Sequence, residues 1–350
     1  MNNRIMLVLA VLCATAVPGV VSAAAAQARS SAQWQVPRTP DGHPDLQGSW
    51  TNSTMTPFQR RADQESSVYT PEQVAEIEQG YVDRFVRGAQ PSDPDRPPPE
   101  RKRTISAADS YNNVYFESGN RVAVVNGEPR ASLITFPSNG RVPELTPEAQ
   151  RLQQERRELR SQFGQYDHPE MRPLAERCIF FGSPSGPPMF PTGAYNSNYI
   201  IVQTADYLMI MSEMIHDARI IRIGEPNPMP KSLRPYFGNS WGRWEGETLV
   251  VETTNLSPLQ LIRGVPPSAD AVVIERFTRV DEETILYEFT VEDPTRWTQA
   301  WGGEIPIKKL HAQVYEYACH EGNYSLANVL SGARYQERME AQGSSDPRRD

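Results

Sequence analysis

Ala271-Val272-Val273-Ile274-Glu275-Arg276-Phe277-Thr278-Arg279-Val280, Asp281-Glu282-Glu283, and Thr284-Ile285-Leu286-Tyr287-Glu288-Phe289-Thr290-Val291-Glu292 run consecutively in this 350-residue chain. β-Branched and aromatic residues alternate with polar ones on both sides of a short acidic link, the pattern of a hairpin. Alternation puts Ile285, Tyr287, Phe289 and Val291 on one face and Leu286, Glu288 and Thr290 on the other. Arg276 opposes the face that carries Glu275 and Phe277.

The same texture extends outward from this hairpin. Strands are expected at 198–203, 207–214, 218–223, 248–254, 271–279, 284–292 and 308–318, with one or two more from 121–125 and 131–136. Ala205-Asp206 and Glu245-Gly246 supply turns. Sequential strands with short links pair with their neighbours, and this number can close a barrel. The expected fold is mainly β: an antiparallel up-and-down (lipocalin-like) barrel or strongly curled sheet. A few peripheral helices and a long N-terminal arm complete it, and the sheet encloses a pocket for a small organic molecule.

Thr70-Pro71-Glu72 and Thr146-Pro147-Glu148 each combine a cap, a first-turn proline and an early acid. They open expected helices over 71–87 and 146–162, and a third helix is expected at 325–341. Pro91-Ser92-Asp93-Pro94-Asp95-Arg96-Pro97-Pro98-Pro99 reads as an extended linker. Arg4, the apolar run Ile5–Leu12 and the small residues 22–28 have the order of a secretory signal peptide. The expected division is a signal peptide over 1–28, an arm with a helix and proline-rich linker over 29–110, a barrel-like domain over 111–342 and a disordered tail over 343–350. Trp34, Leu46 and Trp50 are expected to pin the arm to the domain.

A periplasmic or secreted location follows, with no membrane span after cleavage. The net charge of −8 is spread along the chain, which argues against a nucleic-acid partner. Self-association into a homo-oligomer is compatible with the sequence. In an oxidising compartment Cys178 and Cys319 either form one disulfide or remain two buried thiols.

Four segments carry a resemblance: Pro44-Asp45-Leu46-Gln47-Gly48-Ser49-Trp50, Glu213-Met214-Ile215-His216-Asp217-Ala218-Arg219, Gly242-Arg243-Trp244-Glu245-Gly246-Glu247-Thr248-Leu249-Val250-Val251 and Tyr317-Ala318-Cys319-His320-Glu321-Gly322-Asn323-Tyr324. They resemble those of a large, mostly uncharacterised family of exported proteins from Gram-negative bacteria. The resemblance implies a secreted β-rich protein and brings no assigned catalytic residue.

Chemistry is expected first at Glu213, His216, Asp217 and Arg219, between two strands. There His216 can act as a general base, a carboxylate can orient it, and Arg219 can stabilise an oxyanion. A second constellation, Tyr317 and His320 with Glu321 and Asn323, follows the last strand. His320 or Glu288 can donate a proton. If the charged strand faces line the lumen, Glu288, Arg276 and Glu252 are pocket groups; in the inverse arrangement the apolar faces fill the barrel. Trp244, Trp297, Tyr195 and Asn196 supply further substrate contacts. No zinc spacing, dinucleotide fingerprint or nucleophile elbow is present, so neither a metal nor another cofactor is assigned.

The resulting expectation is a cofactor-independent acid–base enzyme, a lyase or isomerase that cleaves C–C bonds or shifts protons in a small aromatic or alicyclic molecule. Its rival is a non-catalytic periplasmic carrier for a small apolar ligand.

Overall fold

Residues 34–88, 95, 119–182, 185–193 and 197–343 are described by the computed structural model of the chain. The chain divides into two units, residues 1–35 and 36–350, and every described strand and helix belongs to the second. The expected signal peptide, most of the linker, Tyr195, Asn196 and residues 344–350 lie outside the described residues.

The strands of this unit are β1 (Gly48–Thr51), β2 (Val124–Val125), β3 (Glu128–Pro129), β4 (Ile134–Phe136), β5 (Asn198–Gln203), β6 (Tyr207–Ser212), β7 (Ala218–Ile223), β8 (Asn239–Glu245), β9 (Thr248–Thr254), β10 (Val272–Asp281), β11 (Thr284–Glu292) and β12 (Trp301–Lys309). β1 and β5 to β12 pair in sequence, and β1 pairs again with β12, so nine strands close a mainly β barrel. The 271–292 hairpin is β10–β11, in the register Phe277 opposite Tyr287.

Three assignments differ from the expectation. β1 comes from the arm, which therefore contributes to the barrel. β8 was not anticipated, and it pairs with β7 in parallel through the long connection 224–238, so the barrel is mixed. A parallel pair needs such a crossover. The last strand is 301–309 and not 308–318, because Gly302 and Gly303 belong inside it.

Those glycines have a packing cause. β4 crosses onto β12 there, with a register shift between the two residues. A Cβ on Gly303 would sit 2.0 Å from the Leu133 carbonyl oxygen, and one on Gly302 would sit 2.2 Å from that of Phe289. Gly303→Ala should therefore destabilise by about 1–3 kcal/mol, as overpacking does. A urea titration checks this, and an unchanged midpoint would refute the close crossing.

Helices α1 (Pro71–Gly88), α2 (Pro147–Ser161) and α3 (Ser325–Ala341) lie outside the barrel wall. Thr146 caps α2 by accepting from the Ala149 N–H. α1 packs Val74 and Ile77 on a small cluster of Tyr69, Val122 and Ala131. None of these helices is long and apolar enough to cross a membrane.

The barrel interior is filled. Phe277, Ile285, Tyr287, Val291, Val251, Leu249, Ile221 and Leu208 all have no exposed surface. Side chains lining a hollow large enough for water would show accessible area, so these line none. Both mouths are shut as well. At one end Gln203 holds the Leu46 N–H and the Pro44 carbonyl, and Arg279 lies over Trp50, with Trp50 and Leu46 fully buried. At the other, segment 185–190 reaches in until the Met189 N–H donates to the Tyr287 hydroxyl. Phe190 then packs edge-on against Phe289. The expected lumen for a ligand is thus occupied by the protein's own side chains.

Filling follows from the alternation. The apolar faces of β10 and β11 point inward, as in the inverse arrangement, and their charged faces point outward. Inside the barrel sits a buried polar network. Arg219, 1% exposed, forks onto Glu275, 0% exposed, and also donates to Ser240 and Thr253. Tyr287 donates to Glu275 at 2.9 Å. Every member has partners, as burial of a charge pair requires.

Candidate functional site

β6 and β7 are joined by a single 3₁₀ turn, Met214–His216. Within it Ile215 (φ 60°) and His216 (φ 45°) are both left-handed. A β-branched residue there is a steric outlier, and such conformations persist only when surroundings impose them. The surroundings here are identifiable. Glu213 accepts from the Asn198 side chain at 2.9 Å and from the Tyr315 N–H at 3.3 Å. Asp217 accepts from the Phe181 N–H at 3.2 Å and the Ser185 hydroxyl at 3.0 Å, and Ser185 is in turn met by Ser212. Ile215 is buried, so the turn cannot simply relax outward.

His216 is left exposed at the crest of this braced turn. Burial raises the Asp217 carboxyl above its ordinary value, opposed by the Phe181 and Ser185 hydrogen bonds and by the nearby His216. The site therefore pairs a solvent-facing imidazole with a carboxyl group that holds its proton more readily than usual.

The second constellation is drawn to the same rim. A disulfide joins Cys178 to Cys319, with Cα atoms 5.8 Å apart. The C-terminal segment is thereby fastened to the loop whose residue 181 binds Asp217. Beside the disulfide lies an open cleft of about 640 Å³ lined by Arg172, Glu176, Tyr317, Cys319, Asn323 and Leu326 among others. Arg172 is paired with Glu176 at its edge.

Other expected site residues are placed elsewhere. Arg219 points into the barrel and spends its donors on Glu275, Ser240 and Thr253, so it cannot meet a ligand at the rim. Glu213 braces the turn and does not contact the His216 ring. Asp217 is committed to Phe181 and Ser185, and it acts on His216 through charge and not through a hydrogen bond to the ring. Among the described residues no contact joins His216 to His320, which is exposed. Arg276 is on the outer wall, bonded to Glu245 at 3.1 Å. Glu288 is beside it, half-buried, its carboxyl raised by burial and by Glu304 against the lowering effect of Arg276. Glu252 also lies outside the lumen, opposite Ile274 of β10. Trp244 stacks on His43 near the far mouth, and Trp297 is core, packed on Trp301.

Sequence reasoning missed Ser185, Phe181 and Arg172. Ser185 lies in the glycine- and proline-rich stretch 182–188, which lacks the elbow pattern; only its bond to Asp217 gives it a role. Among the described residues no three His, Cys, Asp or Glu side chains gather as a metal site. No family model, curated protein or solved structure matches the chain.

Proposed function

We propose that the protein is an exported acid–base enzyme, a lyase or isomerase, whose reacting group is His216 at the rim and not a group inside the barrel. The observation that carries this reading is the pair of left-handed residues Ile215 and His216, held by Glu213 and Asp217 while the imidazole is presented to solvent. Strain of this kind clusters where geometry serves chemistry. His216 takes the proton from a small aromatic or alicyclic substrate, and the neighbouring Asp217, through the charge interaction that opposes the effect of its burial, stabilises the imidazolium that forms. Tyr317 and Asn323, in the adjoining cleft, orient the substrate. The Cys178–Cys319 disulfide supports a periplasmic or secreted setting. A carrier for an apolar ligand would need an enclosed apolar volume, and the filled interior argues against it.

The test is turnover of a panel of aromatic and alicyclic compounds, followed by mass spectrometry. At least one compound should be converted, and His216→Ala should slow its conversion by about 10²-fold or more. His216→Gly should be equally slow yet more stable than His216→Ala by about 1 kcal/mol, because glycine accepts the left-handed backbone. An alanine variant with full turnover would remove His216 from the mechanism.

A further inference from the structure

A second cavity, of about 300 Å³, lies on the outer wall where β4 crosses β12. It is lined by Arg60, Arg130, Glu304 and the hydroxyl residues Ser67, Ser132, Thr135 and Ser138, together with Ile134. The two guanidiniums are in different electrical states. Arg130 is neutralised by Glu304 and Glu128. Arg60 meets only neutral carbonyls, those of Glu65 at 3.3 Å and Ser138 at 3.0 Å, and no carboxylate among the described residues. Its Nε–H is buried and has no hydrogen-bond partner. That atom has no accessible surface, so what the cavity offers an anion is the Arg60 charge left without a carboxylate, and not this one N–H.

The backbone at Gly140 closes over that donor. Gly140 (φ +69°) is held against it, and a Cβ there would stand 2.9 Å from Arg60 Nε and 2.6 Å from Ser132 Oγ. Ser132 gives its proton to the Ile134 carbonyl. The Ser67, Thr135 and Ser138 hydroxyls make no hydrogen bond among the described residues, so all three can donate to a ligand.

We propose that this cavity binds a small oxyanion: a carboxylate, or the sulfate or phosphate head of a small ester. Arg60 supplies the charge, Arg130 the adjoining guanidinium face, and the three hydroxyls complete the donor set. A planar fork beside neutral hydroxyls suits such an oxygen pair. The volume is at the small end for ligand sites. The site is separate from the His216 rim and does not depend on its chemistry.

The test is an amide-resolved NMR titration of the full chain with acetate, benzoate, inorganic sulfate and inorganic phosphate, at constant ionic strength set with chloride. At least one anion should saturate shifts at Arg60, Ser67 and Arg130. Preference for acetate or benzoate identifies a carboxylate ligand, and preference for sulfate or phosphate an ester head group. Arg60→Gln should weaken binding by roughly tenfold or more, the loss of one charge-assisted hydrogen bond. Ser67→Ala, which breaks no side-chain hydrogen bond among the described residues, should weaken it by a smaller factor with an unchanged melting temperature. It also serves if Arg60→Gln does not fold. Shifts that never saturate for any of the four anions, or unchanged affinity in both variants, would overturn the proposal.

Discussion

Replacing Glu275 by alanine should destabilise the barrel by about 3–5 kcal/mol. The Arg219 guanidinium would keep its Ser240 and Thr253 contacts but lose both carboxylate bonds, inside a barrel that gives it no route to water. Tyr287 would lose its acceptor as well, while still receiving the Met189 N–H that helps shut the mouth. The damage should extend to the plug segment 185–190, which should exchange its amide hydrogens faster. Removing both charges at once, as Arg219→Met with Glu275→Leu, should cost far less, because the larger part of the penalty is an unpaired buried charge and not the loss of attraction. Urea titrations of the single and double variants check this. Equal losses in the two would mean that the pair contributes by attraction alone.

Reducing the Cys178–Cys319 bond should release the C-terminal segment while leaving the barrel folded. The cross-link closes a loop of 141 residues, for which chain entropy allows about 5 kcal/mol at most. The segment beyond β12 has little else to hold it. α3 has no buried residue and is tied to the rest through Arg334 with Asp167, while the segment before it is held, besides the disulfide, by Leu310 on Ser49, His311 on Glu283, the Tyr315 N–H on Glu213 and Asn323 at Cys178. With so little buried contact, local opening should follow reduction. In Cys178→Ser with Cys319→Ser, amide protection over 311–343 should fall by about tenfold or more, and limited proteolysis should cut there first. The cleft would lose a wall and turnover would fall with it. Protection unchanged on reduction would show that packing, not the disulfide, holds the segment.

The strand content was legible where alternation is strong. β10, β11, β9 and β5 to β7 could be read because β-branched and aromatic residues recur at a period of two. β1 was hidden among prolines, and β8 (Asn239-Ser240-Trp241-Gly242-Arg243-Trp244-Glu245) among polar residues and a glycine. β12 was displaced because Gly302, Gly303 and Pro306 break the alternation, whereas Gly303 is demanded by the crossing of β4 and Gly302 by the close approach of Phe289 on β11. Those contacts are tertiary and leave no local trace.

The candidate site was legible in part. The turn Glu213–Asp217 and the segment Tyr317–Asn323 were both identified, and the disulfide brings their surroundings to one rim. Arg219 was misassigned because proximity in sequence to His216 masks the alternation that turns it inward. Glu275 carried a readable sign, a charge on the face of Phe277, but its partner lies 56 residues away. The expected hollow failed for the same reason: inward faces this rich in Phe, Tyr and Ile fill a nine-stranded barrel.

Mapping where a converted compound binds is the most direct test of a reaction at the rim of a filled barrel. Amide and aromatic resonances should be followed while the product found in the turnover screen is added to the full chain. Shifts confined to Glu213–Asp217, Phe181 and Tyr317–Asn323, with Phe277, Tyr287 and Phe289 unmoved, are the predicted result. A ligand that instead perturbs those three interior rings and leaves His216 untouched would contradict it.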